Sequence, residues 1–102
     1  MPRRGEVWLV DLGLAQKVRP ALILNIPYQD ADRALITIVS HSTALRGSEF
    51  EIAVDVPFLK RGAFVVQSLI TIPSKLALRK LGGLTPVQLA PIEQGVRHWL
   101  GL

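Results

Sequence analysis

The polar residues of this chain that could do chemistry are concentrated at the ends of two apolar runs. Lys17 and Arg19 stand at the start of the run 18–26, and the segment Ser40–Thr43 follows the run 34–39. An arginine guanidinium donates two parallel hydrogen bonds and stays protonated, so it is well suited to hold a phosphate. Serine and threonine hydroxyls can hydrogen-bond a phosphate oxygen. The cluster therefore predicts a candidate phosphate site.

Each of these residues also has an ordinary structural interpretation. Arg19 directly precedes Pro20 and could be a solvated charge at the start of a strand. His41 could act as a general acid or base near neutral pH, but a single histidine after an apolar strand is more often partly buried and hydrogen-bonded. Ser42 and Thr43 could simply shape a turn. The residues alone thus predict a small basic domain with a candidate phosphate site, and leave its use open.

Motifs for several other chemistries are missing from the sequence. His41 and His98 are far apart in the chain, neither has a metal-binding spacing, and there is no cysteine for a thiolate site or a disulfide. No GxGxxG, GxxxxGK or GxSxG segment occurs, so nucleotide cofactors and a serine nucleophile have no support. We therefore predict neither a metal nor a cofactor.

Length and charge set broad limits. The 102 residues fit one domain, 1–102. Twelve basic residues against eight acidic ones give a net charge of +4 and a pI of about 10.1, which mildly favours a polyanionic partner such as nucleic acid. The apolar runs are far shorter than the ~20 residues that cross a bilayer, and no signal peptide is recognisable. We expect a soluble, cytoplasmic protein that does not bind membranes.

Hydrophobic patterning predicts that strands position the polar cluster. Five apolar runs rich in β-branched and aromatic residues are separated by glycine, proline and polar turns. In the clearest run, apolar residues alternate with Glu49, Glu51, Ala53 and Asp55, which is the period of a half-buried strand. Its acidic outer face predicts that a polyanion binds elsewhere. The five predicted strands are 6–12, 18–26, 34–39, 50–56 and 63–72.

A short helix is predicted directly after the fifth strand. Ser74 can act as its N-cap, residues 75–81 carry leucines and basic residues at helical spacing, and Gly82-Gly83 would end it. The basic residues complement the helix dipole, so the simplest interpretation of Lys75 is a place on a solvated helix face.

A second helix is predicted near the end of the chain. Thr85 and Pro86 are typical of a helix start, and apolar residues follow at spacings of three and four. Pro91 would remove a hydrogen bond, which predicts a kink or a helix that restarts near Ala90. Short strands followed by helices favour a mostly β (α+β) fold, in which helices pack on a small curled sheet or barrel.

The order of these motifs resembles the MazF/PemK family of toxin ribonucleases. The resemblance covers essentially the whole chain, and its parts together are specific. It rests on RGEVWLVDL at residues 4–12, RPALIL at 19–24, VSHST at 39–43, the Arg46-Gly47 and Phe50-Glu51 steps, and the segment from Lys80 to Leu102.

The resemblance implies a fold, an activity and partners. The fold would be an SH3-like barrel of about five to seven strands with a C-terminal helix, assembled as a homodimer. The activity would be metal-independent cleavage of single-stranded RNA, through attack of a ribose 2′-OH to give a 2′,3′-cyclic phosphate. A cognate antitoxin would neutralise it, and contact with DNA would occur only through the toxin–antitoxin complex.

The resemblance also assigns residues to the reaction. The family's active-site arginine falls on Arg19, and its hydroxyl falls on Ser42, with Thr43 beside it. His41 is a candidate proton carrier. We expect Lys17, Gln67 and Lys75 to contact RNA.

Three departures from the family pattern are visible. The connection 13–18 is several residues shorter than usual, and Ser42 stands where threonine is usual. The fifth-strand QxRT step reads Gln67-Ser68-Leu69-Ile70-Thr71, without its arginine. The shortened connection and the missing arginine leave open a homologue that binds RNA without cleaving it. A gyrase-inhibiting binding toxin also stays open, because it has the same fold.

Overall fold

The computed structural model describes residues 1–13 and 17–102, which form an antiparallel six-stranded sheet and one α-helix. The strand order is β4-β5-β3-β2-β1-β6, so the chain's first three strands are neighbours and β6 returns to pair with β1. The elements are β1 Glu6–Asp11, β2 Val18–Ile23, β3 Leu35–Ser42, β4 Glu51–Ile52, β5 Ala63–Pro73, β6 Ala77–Gly83 and α1 Pro86–Leu100. Six strands and a C-terminal helix confirm the predicted fold class.

Alternating side chains divide the core between the two faces of the sheet, because successive residues of a strand point in opposite directions. On the face that α1 covers, the fully buried side chains are Val7, Leu22, Val39, Phe64, Val66 and Ile92. On the opposite face, the buried side chains are Val10, Ala21, Ile23, Ile36, Ile38 and Ile72, with Trp8 and Leu76 packed against them.

The predicted strand 50–56 forms a ladder only over β4. Val54 and Val56 still pack inward, so the alternation indicated burial correctly. The prediction of a long strand was wrong because the chain leaves the sheet after Ile52 and turns at residues 56–59, where Pro57 cannot donate a ladder hydrogen bond.

The predicted helix 75–81 was also wrong. The segment instead forms a single 3₁₀ turn, Ser74–Leu76, followed by β6. Ser74 does not cap the turn, since its hydroxyl lies 3.0 Å from the Tyr28 hydroxyl. Pairing with β1, where Leu9 faces Arg79, outweighs the helical propensity of these residues.

The terminal helix begins and ends as expected. Thr85 and Gln88 form a reciprocal capping box, and Gly101 ends the helix in the left-handed conformation, with φ of 72°. However, α1 does not restart near Ala90. Pro91 deprives the Val87 carbonyl of its helical donor, but Val87 is 83% exposed in the first turn, where water can satisfy that carbonyl.

No helix in the described residues is long and apolar enough to span a membrane.

Candidate functional site

The start of β2 and the end of β3 bring the predicted arginine and hydroxyl together. These strands are antiparallel neighbours, with Ala21 paired to Ser40. Two residues further in the same register, Arg19 stands opposite Ser42. Both side chains point away from the helix, because Ala21 belongs to the core on that face.

Arg19 and Ser42 line one surface pocket of about 370 Å³ together with Gln67. Three of the residues predicted for the site are thus brought together by three neighbouring strands. The remaining residues that line this pocket are Ser40, Ala44, Arg46, Ser48, Glu51 and Val65. We call it the phosphate pocket, because it combines two guanidiniums with hydroxyl and amide donors.

The hydrogen bonds of Ser42 indicate how its hydroxyl can act. Its oxygen accepts the backbone N–H of Ala44 at 3.1 Å. Its own proton points towards the Ala44 carbonyl at 3.4 Å, which is too long for a strong bond. Ser42 can therefore turn its O–H to a phosphate oxygen while its oxygen stays anchored to the backbone.

The loop after β3 adds a second guanidinium, Arg46, that the predicted site did not include. The Glu51 carboxylate accepts the backbone N–H groups of Arg46 at 2.9 Å, Gly47 at 2.8 Å and Ser48 at 2.9 Å. These bonds, led by that from Arg46, lower the pKa of Glu51. Glu51 thereby fixes the loop at the rim of the phosphate pocket. The sequence signal was a glutamate a few residues after an Arg-Gly step.

His41 and Thr43 lie on the other side of Arg19. They line a second pocket of about 320 Å³ with Arg19, Pro20 and Leu81, and with Val18, Phe58, Leu59 and Lys60. We call it the apolar pocket. His41 is 4% exposed and its ring meets Phe64 edge-on at 5.0 Å. Burial lowers the pKa of His41, so the imidazole is neutral at pH 7. It faces the helix side of the sheet, unlike Ser42.

The two lysines predicted to bind RNA are placed differently. Lys17 is exposed directly before β2, with a left-handed φ of 57°, and its neighbours 14–16 lie outside the described residues. The short 13–18 connection noted in the sequence is therefore only partly covered by the described residues. Lys75 lies in the 3₁₀ turn after β5, near the opposite end of β3 from Ser42, and an extended strand of that length spans about 23 Å. Neither lysine lines the phosphate pocket.

The position of the missing QxRT arginine is occupied by a core side chain. Leu69 occupies the position two residues after Gln67 and packs against the core on the helix side. That position consequently adds no charge to the phosphate pocket. Among residues 1–13 and 17–102, no three histidine or carboxylate side chains converge as a metal site would require.

Comparisons with known proteins connect this geometry to a family. The family profile described as "PemK-like, MazF-like toxin of type II toxin-antitoxin system" matches residues 3–100. The chain belongs to this family. The resemblance predicted from the motifs is therefore confirmed. No curated protein sequence matches the chain significantly.

Solved structures of MazF toxins share the fold. A mycobacterial endoribonuclease in complex with its cognate antitoxin has a TM-score of 0.84 at 24% identity, over 100% of this chain and 97% of that one. The Mycobacterium tuberculosis toxin MazF-mt6 gives 0.80 at 24% identity, over 95% and 97%. MazF of a Deinococcus radiodurans MazE–MazF complex gives 0.82 at 17% identity, over 99% and 96%.

Proposed function

We propose that this MazF-family chain is the toxin of a type II toxin–antitoxin pair and cleaves single-stranded RNA without a metal. The observation that carries the proposal is the meeting of Arg19, Ser42 and Gln67 in one pocket at the ends of β2, β3 and the first part of β5. The description of similar structures as endoribonucleases supports the same activity. The RNA sequence that is cleaved depends on base contacts that this pocket alone does not define.

The proposed reaction needs only groups of the RNA and the protein. The ribose 2′-oxygen loses its proton and bonds to the adjacent phosphorus, the bond from phosphorus to the 5′-oxygen breaks, and that oxygen takes up a proton. The products are a 2′,3′-cyclic phosphate and a 5′-hydroxyl. Negative charge grows on the phosphoryl oxygens in the transition state, so fixed donors around them lower the barrier.

The proposal gives each of the pocket's main residues a role. Arg19 stabilises the phosphoryl charge, because a guanidinium is a strong donor and a poor proton carrier. Ser42 donates its O–H to a phosphoryl oxygen, and Gln67 binds the RNA strand beside it. Thr43 and His41 line the apolar pocket, so proton transfer by His41 stays a prediction that a pH–rate profile of His41→Gln would test.

The proposal includes three partners. Single-stranded messenger RNA is the substrate, which implies a cytoplasmic site of action, and a protein antitoxin is the inhibitor. The related structures that contain cognate antitoxins support the second of these. The third partner is a second copy of the chain. Sedimentation at micromolar concentration should give a dimer, and a strictly monomeric profile would contradict that part of the proposal.

Purified protein incubated with single-stranded RNA and EDTA tests the activity directly. We expect discrete fragments that end in 2′,3′-cyclic phosphate. Arg19→Ala should lower the cleavage rate by about 10²–10³, because it removes a charge that stabilises the transition state. Arg33→Ala is the matched control, since it removes the same charge from an exposed turn before β3.

Three results would contradict the proposal. Equal rates for Arg19→Ala and the wild type would remove Arg19 from the reaction. Intact RNA together with arrest of DNA gyrase would favour a binding toxin of the same fold. RNA binding that weakens with salt but shows no turnover would indicate a homologue that has lost catalysis.

A further inference from the structure

The ladder between β3 and β5 changes register in the middle. Ile38 pairs with Ile70, but Ser40 pairs with Val65. Val39 of β3 therefore faces the four residues 66–69 of β5. The three extra residues form an irregular bulge, and bulges re-aim side chains next to functional sites. Gln67 lies within the bulge and lines the phosphate pocket.

The Ser68 hydroxyl forms hydrogen bonds at the edge of this bulge. Ser68 Oγ accepts the backbone N–H of Ser40 at 2.9 Å and donates to the Val65 carbonyl at 2.6 Å. Ser68 Oγ also accepts the Ser40 hydroxyl at 2.9 Å. The side chain thus bridges Ser40 and Val65, the pair at which the register changes.

The other side of the bulge is held by the chain that leads into β4. The backbone N–H of Val66 donates to the Phe50 carbonyl at 3.0 Å. Val66 is fully buried, while the neighbouring Gln67 is exposed. The direction of Gln67 is therefore set by the two residues that flank it, one through the core and one through the Ser68 hydroxyl.

We propose that Ser68 is a positioning residue whose hydroxyl holds the β5 bulge and so presents Gln67 beside Arg19 and Ser42. Its effect on RNA rests on the proposed function, but its effect on the bulge does not. Without the hydroxyl, the Ser40 N–H and the Val65 carbonyl lose their common partner, and the bulge can relax away from the pocket.

The first measurement concerns the bulge and needs no RNA. Amide hydrogen exchange of Ser40 should be about five- to twelvefold faster in Ser68→Ala than in the wild type, which corresponds to the loss of about 1–1.5 kcal/mol of hydrogen bonding. Ser68→Thr, which keeps a hydroxyl, should restore slow exchange. Thr71→Val is the matched control, because Thr71 shares a cross-strand hydroxyl bond of 2.7 Å with Thr37 in the regular part of the same ladder. That variant should leave the exchange of Ser40 unchanged.

The second measurement concerns RNA. Ser68→Ala should raise KM for RNA about five- to tenfold with little change in kcat, as expected for displacement of a binding group. When Gln67→Ala is already present, adding Ser68→Ala should raise KM by less than a further twofold, because both changes remove the same contact. Thr71→Val should cleave like the wild type.

The two measurements separate the ways in which the inference could fail. Unchanged Ser40 exchange in Ser68→Ala would show that the hydroxyl does not hold the bulge. Faster exchange with fully additive losses in the Gln67→Ala background would show that Ser68 does not act through Gln67. If the wild-type protein neither binds nor cleaves RNA, the proposed function fails; in that case the Ser40 exchange and the NMR signals of the Gln67 side-chain amide decide the positioning role alone.

Discussion

The two halves of the β3–β5 ladder are built from the same strands but have different roles. Before the bulge, Ile36 and Ile38 of β3 lie fully buried on the face away from the helix. Beyond it, Ser40 and Ser42 continue on the same face and line the phosphate pocket. The change from isoleucine to serine coincides with the change of register. One strand pair therefore contains a half that stabilises the fold and a half that presents polar groups.

The largest contrast between the halves should be seen in stability. Ile38→Ala removes a fully buried side chain and should lower the free energy of unfolding by about 2–5 kcal/mol. Ser42→Ala, at the other end of β3, removes one hydroxyl bond to the backbone and should cost no more than about 1 kcal/mol. Urea denaturation of both variants measures the difference. Similar losses would mean that the two halves contribute equally to stability.

A smaller effect should follow from distorting the polar half alone. A Cβ added to Gly62 would lie 2.2 Å from the Ser42 carbonyl oxygen and 2.9 Å from His41 Cε1, so the end of β3 would have to move. Gly62→Ala should cost about 1–3 kcal/mol in unfolding free energy and up to about 10² in cleavage rate.

Gly83→Ala is the control for that change, because the nearest atom to its added Cβ is 3.9 Å away. It should fold and cleave like the wild type. Cleavage by Gly62→Ala at the wild-type rate would show that the end of β3 can move without disturbing the phosphate pocket.

The smallest effect concerns pH. Backbone N–H groups lower the pKa of Glu51 in the folded protein, so its contribution to stability is complete above the unfolded value of 4.5 and is lost as pH falls below it. Glu51→Gln should therefore flatten the loss of stability below pH 4.5. Denaturation between about pH 3 and pH 6 measures this. Asp30→Asn, which removes an exposed carboxylate from a turn outside this loop, is the matched control.

His41 should affect the stability of the protein in a different pH range from Glu51. Burial lowers its pKa, so below the unfolded value of 6.5 the unfolded chain binds more protons and stability falls as pH falls. His41→Gln should remove that part of the slope, whereas Glu51→Gln should not. If both variants kept the wild-type slope of stability against pH above pH 5, that slope would come from another group.

The sequence predicted the parts of the site that depend on local patterns. Arg19 and Ser42 stand where apolar runs begin and end, and antiparallel pairing brings such ends together. Gln67 was reached only through the family motif. Its direction comes from the bulge, which depends on the pairing of Ser40 with Val65 and on the hydroxyl of Ser68. A register shift between distant strands leaves no periodic signal in either strand.

The failed prediction of a helix over 75–81 has a similar cause. Ser74, the leucines and Gly82 all agree locally with a helix. The strand that forms instead gains its hydrogen bonds from β1, about seventy residues earlier in the chain. Gly82 is required for a different reason as well, since a Cβ there would meet the Phe58 ring at 2.6 Å. Local propensity was outweighed by a contact that only the folded chain contains.

The position of Arg19 between its two pockets has a consequence for inhibition. A single guanidinium borders both the phosphate pocket and the apolar pocket, so a ligand in either pocket lies beside the same charge. A small molecule with an acidic group, seated against Phe58 and Leu81, could draw the guanidinium towards itself and leave the neighbouring cavity without its main positive charge. Antagonists of this toxin would then need neither the size nor the charge of a polynucleotide.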